Sequence, residues 1–272
     1  MSTSKQITKS NKIIAVAGKG GVGKTSVSAV MVKLLTKAYP DKKILAIDAD
    51  PAVGLSTALG IDVKTTIDDI RKEVVATVEG GDTKSAMELL GEARYRIFDA
   101  LSEQNGFSFI AIGRPESAGC YCKINSYLKE VISILADKFD YVVIDGEAGI
   151  EQINRRVMEK VSHLILITDS SKKGCQVIQT IKSVADELVM YEKIGVIANR
   201  LPTQIDSASG KSIISEDVKS AMDTGNLPIL SYIPSDTNLA EFDLKGENVF
   251  YLSDESAIVQ GVKSALEKIN II

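Results

Sequence analysis

The sequence has few cysteines and histidines and no long apolar run. Of its 272 residues, three are cysteine and one is histidine. Three cysteines are too few for a disulfide framework, which favours a reducing compartment. No run approaches the roughly 20 apolar residues that a membrane span needs, and the polar segment 1–10 lacks the apolar core of a signal peptide. We therefore expect a cytoplasmic protein with a polar N-terminal tail over residues 1–10.

Nor does the chain carry a marked excess of one charge. Its 32 basic and 36 acidic residues are interspersed and give a net charge of −4, so no electrostatic argument favours nucleic acid or an anionic membrane as a partner. Internal repeats, low-complexity tracts and Pro/Gly-rich linkers are also missing. We therefore predict one domain over residues 1–272, without a nucleic-acid or membrane partner.

Short apolar runs alternate with helical patterns along the chain. Most of these runs are apolar throughout, as expected for parallel strands covered on both faces. The pattern predicts an α/β fold with a doubly wound, mainly parallel β-sheet flanked by helices, which binds ligands at the carboxyl ends of its strands. Residues 67–105 have helical character, and we predict no strand there. The predicted strands are Ile13–Ala17, Ile44–Asp48, Phe109–Gly113, Tyr141–Asp145, Leu164–Thr168, Ile194–Asn199 and Ile229–Ile233, and the predicted helices include Thr25–Ala38, Ser126–Ala136, Gln176–Tyr191 and Ser215–Met222.

A glycine-rich segment follows the first predicted strand. Residues 18–25 contain four glycines, which let consecutive backbone N–H groups turn towards a polyphosphate at a helix N-terminus. Lys24 would contact the β- and γ-phosphates, and the Thr25 hydroxyl would be a Mg²⁺ ligand. Lys19 is unusual, because this chemistry needs only one lysine. We expect ATP or ADP to be bound by Gly18, Lys19, Gly20, Gly21, Val22, Gly23, Lys24, Thr25 and Ser26.

Acidic residues follow two other predicted strands at the same edge of the sheet. An aspartate in that position can hold the Mg²⁺ shell, usually through water. We expect Asp145 to do so with support from Asp48, and Asp50 to orient or deprotonate the attacking water. The alternative is that these acids only cap helices.

Two cysteines, Cys120 and Cys122, are separated by a single residue. Their thiolates can approach one soft ion such as Ni²⁺, Zn²⁺ or Cu⁺, but two ligands do not complete a site. A two-fold homodimer would supply four sulfurs on its axis. By itself the pair is weak evidence for a metal site; only together with the ATPase resemblance described next does it predict one Ni²⁺ or Zn²⁺ shared across a dimer. The alternative is that these cysteines are small buried hydrophobic residues.

The segment Lys19-Gly20-Gly21-Val22-Gly23-Lys24-Thr25 resembles the deviant Walker A loop of the nucleotide-sandwich ATPases. That group includes nitrogenase iron protein, the septum-site and chromosome-partitioning ATPases, and metallocluster maturation factors. The resemblance implies a P-loop NTPase fold and a homodimer in which Lys19 reaches the partner's nucleotide, so that its charge acts only when the dimer closes. It also implies that Asn199-Arg200 and Pro234-Ser235-Asp236 lie near the adenine. Asn199 as a simple turn residue is the alternative.

Two further segments resemble the CooC-type nickel-insertion ATPases. They are residues 113–125, which contain both cysteines, and the run Asp145-Gly146-Glu147-Ala148-Gly149-Ile150-Glu151. Such proteins mature the nickel–iron–sulfur cluster of carbon monoxide dehydrogenase, and a close relative serves acetyl-CoA synthase. The resemblance implies a Mg²⁺-dependent ATPase that couples dimer closure to nickel insertion into one of these client enzymes. Gln152 departs from it, because many relatives have histidine there.

The alternative function is that of a septum-site or partitioning ATPase, which would act on a membrane or nucleoid partner. A C-terminal stripe of apolar residues at helical spacing bears on this choice, since it would either pack on the core or bind lipid. Its two lysines and flanking acids make a poor basic face, so we expect it to pack on the core. The stripe consists of Ile258, Val262, Ala265, Leu266 and Ile269.

Overall fold

In the part of the chain that the structure describes, the seven predicted apolar runs and one further strand form an eight-stranded sheet. The computed structural model describes residues 11–80, 83–113, 122–146, 157, 160–206 and 212–272. The sheet contains β1 (Lys12–Gly18), β2 (Ile44–Asp48), β3 (Ser102–Gln104), β4 (Phe107–Ala111), β5 (Tyr141–Asp145), β6 (Lys160–Thr168), β7 (Met190–Leu201) and β10 (Ile229–Pro234). The strands β8 (Gln204–Ile205) and β9 (Ser212–Ile213) form a separate antiparallel pair.

The strand order is β10-β7-β6-β1-β5-β2-β4-β3, and every pair in this sheet is parallel except β3 with β4. The strand that leads into the glycine-rich loop, β1, therefore lies between β5 and β6. In the register of these strands, Asp145 is beside both Val16 and Asp48. The predicted doubly wound, mainly parallel sheet is confirmed, and its order brings the predicted acids to the loop.

Helices cover both faces of the sheet. They are α1 (Lys24–Ala38), α2 (Gly54–Leu59), α3 (Ile67–Glu79), α4 (Thr83–Asp99), α5 (Cys122–Ala136), α6 (Lys172–Leu188), α7 (Glu216–Ser220), α8 (Thr237–Lys245) and α9 (Ala257–Lys268). Alternate side chains of β1 enter two separate cores: Ile14 and Val16 pack with α1, α2 and α9, whereas Ala15 and Ala17 pack with α3 to α6. Burial on both faces explains why these strands are apolar throughout.

The prediction of no strand in residues 67–105 was wrong, and so were several predicted element boundaries, such as Phe109–Gly113 for the strand that spans Phe107–Ala111. The stretch 67–105 does contain a strand, β3, which pairs antiparallel with β4 across a tight turn at Gly106 (φ 94°). Only Ser102 of this edge strand is half-buried, so it lacks the apolar pattern that marks the inner strands. The helix expected to reach Tyr191 ends at Leu188, because β7 begins at Met190 and pairs with β6.

The C-terminal stripe packs on the core, as predicted. All five of its residues are at least 95% buried, and α9 packs against β10 and α1. Among the described residues, no helix combines the length and the apolar character that a membrane span requires.

Candidate nucleotide site

The glycine-rich loop follows β1 and leads directly into α1. A side chain at Gly18 is excluded, because an added Cβ would lie 2.2 Å from the Ile167 carbonyl oxygen of the neighbouring strand. Gly23 has φ 89°, and a Cβ there would lie 2.6 Å from Asn199 Nδ2. At Gly20 and Gly21 an added Cβ would meet nothing within 4 Å. The loop is therefore closely packed against neighbouring residues at Gly18 and Gly23 and has free space around Gly20 and Gly21.

Three side chains hold the loop from within the chain. Lys24 is buried, and its Nζ donates a hydrogen bond to the Lys19 carbonyl oxygen over 3.3 Å. Asn199 Nδ2 donates to the Val22 carbonyl oxygen over 2.9 Å, and Arg200 Nη1 donates to Gly21 O over 2.7 Å. Carbonyls held by these donors leave the loop N–H groups for an anion.

Asp145 ends β5 and is fully buried. The Ser28 hydroxyl donates to its Oδ1 over 2.9 Å, while Oδ2 has no hydrogen-bond partner among the described residues. Burial raises the pKa of Asp145 to about 6, although the Thr25 and Ser28 hydroxyls and the Lys24 ammonium favour the charged form. A buried carboxylate oxygen without a protein donor suits a hard cation or a water molecule in its shell.

Asp48 is the second fully buried acid. The backbone N–H groups of Asp50 and Leu55 donate to its Oδ1 and Oδ2 over 3.2 and 2.9 Å. Burial and the neighbouring charge of Asp145 raise the pKa of Asp48 to about 7. Its carboxylate therefore caps α2, as the alternative expected, and also places a second acid beside Asp145.

Asp50 lies in the loop that Asp48 holds. Its Oδ1 accepts a hydrogen bond from the Ala52 N–H over 2.9 Å, which closes a short turn. Its negative charge disfavours ionisation of Asp145 and so contributes to the raised pKa of that residue. Gly54, the first residue of α2, lies beside Thr25 of α1, since an added Cβ at Gly54 would lie 3.8 Å from Thr25 Oγ1.

The donor set fits Mg²⁺. Mg²⁺ prefers oxygen ligands and usually keeps several waters, so one or two carboxylates and a hydroxyl suffice. Thr25 Oγ1 and Asp145 Oδ2 would contact the ion or its waters, and Asp48 would add negative charge. Two buried carboxylates that both resist ionisation in the metal-free chain would be stabilised by such a cation.

Lys19 has a partner within its own chain. Its Nζ lies 3.1 Å from Asp169 Oδ2 and 3.5 Å from Ser171 Oγ. Burial of Asp169 opposes its ionisation, but hydrogen bonds from Ser171 and Lys19 outweigh that effect and lower its pKa. The lysine that is expected to act on a second subunit thus forms an ion pair within its own chain.

The residues expected near the adenine lie at the carboxyl ends of β7 and β10. Asn199 and Arg200 contact the phosphate loop, and Arg200 has an unusual positive φ of 56°. Pro234 ends β10. Asp236 accepts hydrogen bonds from the N–H groups of Leu239 and Ile258 at the start of α8 and α9, so its carboxylate joins two helices. Adenine contact by these residues stays a prediction.

The predicted nickel ligands cannot be placed. Cys120 lies outside the described residues, as do Glu147 to Gln152, and only the backbone of Cys122 is described, at the first residue of α5. The third cysteine, Cys175, is buried near the start of α6. Among the described residues, no group of three or more His, Cys, Asp or Glu side chains could hold a metal ion.

The sequence interpretation missed two residues of the site, Ser28 and Asp169. Asp169 directly follows the apolar strand β6, so the rule that selected Asp48 and Asp145 also applied to it. Ser28 gave no such signal, because a serine one turn into a helix has no distinctive pattern.

Residues 13–249 match the family model described as the CobQ/CobB/MinD/ParA nucleotide binding domain. The chain belongs to this family. The matched residues include the glycine-rich loop and both buried acids, Asp48 and Asp145.

Two relatives of the chain share substantial sequence with it. The uncharacterized ATP-binding protein MJ0685 of Methanocaldococcus jannaschii is 37% identical over 258 residues, covering 94% of this chain and 98% of the relative. The carbon monoxide dehydrogenase accessory protein CooC of Rhodospirillum rubrum is 30% identical over 207 residues, covering 71% and 76%. The chain is therefore a nucleotide-binding ATPase of the MinD/ParA/CooC group.

A solved structure of the CobQ/CobB/MinD/ParA family has the same fold. The septum site-determining protein MinD from Pyrococcus horikoshii OT3, complexed with Mg-ADP, superposes with a TM-score of 0.63 at 23% identity, covering 96% of both chains. At this identity the likeness concerns the fold alone.

Proposed function

We propose that this chain is a Mg²⁺-dependent ATPase that acts as a nickel metallochaperone. In this proposal, ATP closes a homodimer, and hydrolysis to ADP and phosphate opens it. The cargo is Ni²⁺, and the client is carbon monoxide dehydrogenase or acetyl-CoA synthase. The observation that carries the nickel assignment is the similarity to a carbon monoxide dehydrogenase accessory protein across most of the chain, together with the Cys120/Cys122 pair.

In this proposal each residue of the site has a separate role in hydrolysis. Lys24 binds the phosphates by direct charge contact, and the loop N–H groups orient them. Asp50 orients the attacking water and can accept its proton. Lys19 of the partner subunit adds positive charge when the dimer closes. Bound Mg²⁺ would neutralise phosphate charge, and Thr25 and Asp145 would hold it.

The metal site is proposed to lie on the two-fold axis. Each chain contributes Cys120 and Cys122, so one ion per dimer would have four thiolate ligands. Four thiolates around nickel favour a square-planar arrangement, whereas zinc would be tetrahedral. Because thiolates must lose their protons to bind, metal affinity should fall as the pH drops below the thiol pKa.

The test is metal stoichiometry measured by mass spectrometry after loading with Ni²⁺ or Zn²⁺, with and without Mg²⁺ and ATP. We expect one ion per dimer in the wild type and none in Cys120→Ser or Cys122→Ser. Cys175→Ala is the matched control, because it also removes one thiol but should keep the ion.

One ion per monomer, or unchanged binding in Cys122→Ser, would reject the shared site. ATPase activity without any nickel binding would instead favour a septum-site or partitioning role. Vesicle and DNA co-sedimentation of the ATP-bound chain would then identify the partner class.

A further inference from the structure

The ion pair between Lys19 and Asp169 joins two neighbouring strand ends. Lys19 follows β1, and Asp169 follows β6, whose Ile167 is beside Gly18 in the register of the two strands. The side chains of Lys19 and Asp169 keep 28% and 29% of their exposure. The contact therefore joins the ends of two hydrogen-bonded strands and remains open to water.

The carboxylate of Asp169 is held in place by the start of α6. Its Oδ1 accepts hydrogen bonds from the backbone N–H and the hydroxyl of Ser171, and Ser171 Oγ in turn accepts the Gly174 N–H over 2.9 Å. An added Cβ at Gly174 would lie 2.2 Å from Asp169 Oδ1. Ser171 therefore caps the helix and orients the acid at once, which leaves Oδ2 aimed at Lys19.

An ammonium that contacts this carboxylate has to give up the contact before it can bind phosphates across a dimer interface. We propose that Asp169 is a positioning residue that holds Lys19 within its own chain, so that ATP-driven pairing of two subunits requires both lysines to be released. This inference rests on the proposed function, because it assumes that Lys19 acts on the partner's nucleotide.

The size of the effect follows from the exposure of the pair. Partly exposed ion pairs shift an equilibrium by about 1.4- to 5-fold. A symmetric dimer releases two lysines, so removing the carboxylate should tighten the ATP-dependent dimer by roughly 2- to 30-fold.

The first experiment measures the dimer dissociation constant by sedimentation velocity, with Mg²⁺ and a non-hydrolysable ATP analogue. Asp169→Asn keeps an acceptor for Ser171 but loses the charge, and we expect a tighter dimer. The matched control is Asp186→Asn, which breaks the exposed 2.6 Å ion pair with Lys182 on the same helix and changes the net charge equally. It should leave the dimer unchanged, and Asp169→Asn in a Lys19→Ala background should have no effect.

The second experiment needs neither nucleotide nor dimer. It follows acylation of Lys19 by an N-hydroxysuccinimide ester, site by site, with mass spectrometry in the nucleotide-free chain. Contact with Asp169 shields the amine, so Asp169→Asn should increase its acylation rate several-fold relative to wild type and Asp186→Asn. Equal rates in all three proteins would overturn the inference.

A dimer that is weaker or unchanged in Asp169→Asn would also overturn the inference, because the acid would then orient the lysine for its partner or have no influence on it. A wild-type chain that stays monomeric with Mg²⁺ and the analogue would instead contradict the proposed function. The acylation rates would still decide whether Asp169 restrains Lys19.

Discussion

Replacing Ser28 by alanine tests whether the free oxygen of Asp145 belongs to a Mg²⁺ site. Ser28 is fully buried, and its hydroxyl is the donor that fixes Asp145 Oδ1 at 2.9 Å. Ser28→Ala leaves the carboxylate without this donor in a buried environment. The Asp145 side chain loses its fixed orientation, and its pKa should rise above the wild-type value of about 6.

The magnitude follows from the type of bond that is lost. A hydrogen bond to a charged group contributes about 1.5–3 kcal/mol, which corresponds to about 10- to 150-fold in an equilibrium constant. Mg²⁺ keeps part of its water shell, so only part of this energy reaches the metal. We expect Ser28→Ala to weaken Mg²⁺-dependent ADP binding by about tenfold at neutral pH, with metal-free ADP binding nearly unchanged.

Isothermal titration calorimetry of ADP, in Mg²⁺ and in EDTA, separates these two quantities. Ser133→Ala is a suitable control, because it also removes a helical hydroxyl, but a half-buried one that donates to the Lys129 carbonyl of its own helix. An equal loss of ADP affinity with and without Mg²⁺ would mean that Ser28 supports the loop in general. An unchanged Mg²⁺ effect would refute the assignment of Asp145 as a metal-shell ligand.

Three further predictions concern the same site. Asp48 and Asp145 have raised pKa values in the folded state, so they favour folding most at low pH. Without metal, the free energy of unfolding measured in urea titrations should therefore fall by a few kcal/mol between about pH 4 and 7. Saturating Mg²⁺ and ADP should make this fall smaller. Lys24→Ala should reduce nucleotide affinity at least tenfold and abolish turnover, whereas Lys19→Ala should keep monomer affinity but reduce both turnover and nucleotide-driven dimerisation. Retention of both activities in Lys19→Ala would contradict its role in trans. Asp50→Asn should slow phosphate release by at least tenfold while ATP-bound dimers persist, and wild-type turnover would exclude Asp50 as the group that orients water.

The inner strands could be predicted from the sequence because both of their faces are buried. A strand such as Tyr141–Asp145 must be apolar at nearly every position, and its boundaries were predicted correctly. The edge strand Ser102–Gln104 could not, because its pairing with β4 depends on a turn and not on burial. Helix ends were similarly uncertain where a strand follows at once, as at Leu188.

The glycine-rich loop was visible in the sequence because its chemistry needs a fixed spacing of glycine, lysine and threonine. The strand-end rule could have placed Asp169 at the same edge of the sheet but not beside Lys19, because that contact depends on β6 being the neighbour of β1 in the strand order. For a related reason, the sequence favoured a metal-site role for Asp48 but did not show which helix it caps. An acid at a strand end can bind a metal, cap a helix or do both. Which backbone N–H groups donate hydrogen bonds to it is known only from the folded chain.

The position of β1 in the sheet has a consequence for the order of events during synthesis. The phosphate loop leaves the ribosome before β5 and β6 do, yet β1 acquires neighbours only when those two strands exist. The Gly21 and Val22 carbonyls find their donors later still, on Arg200 and Asn199. Because a nascent chain emerges from its N-terminus, the nucleotide site is completed only once Arg200, which follows Gly21 by 179 residues, has been made. ATP therefore stabilises the finished domain and gives no help to its early folding intermediates.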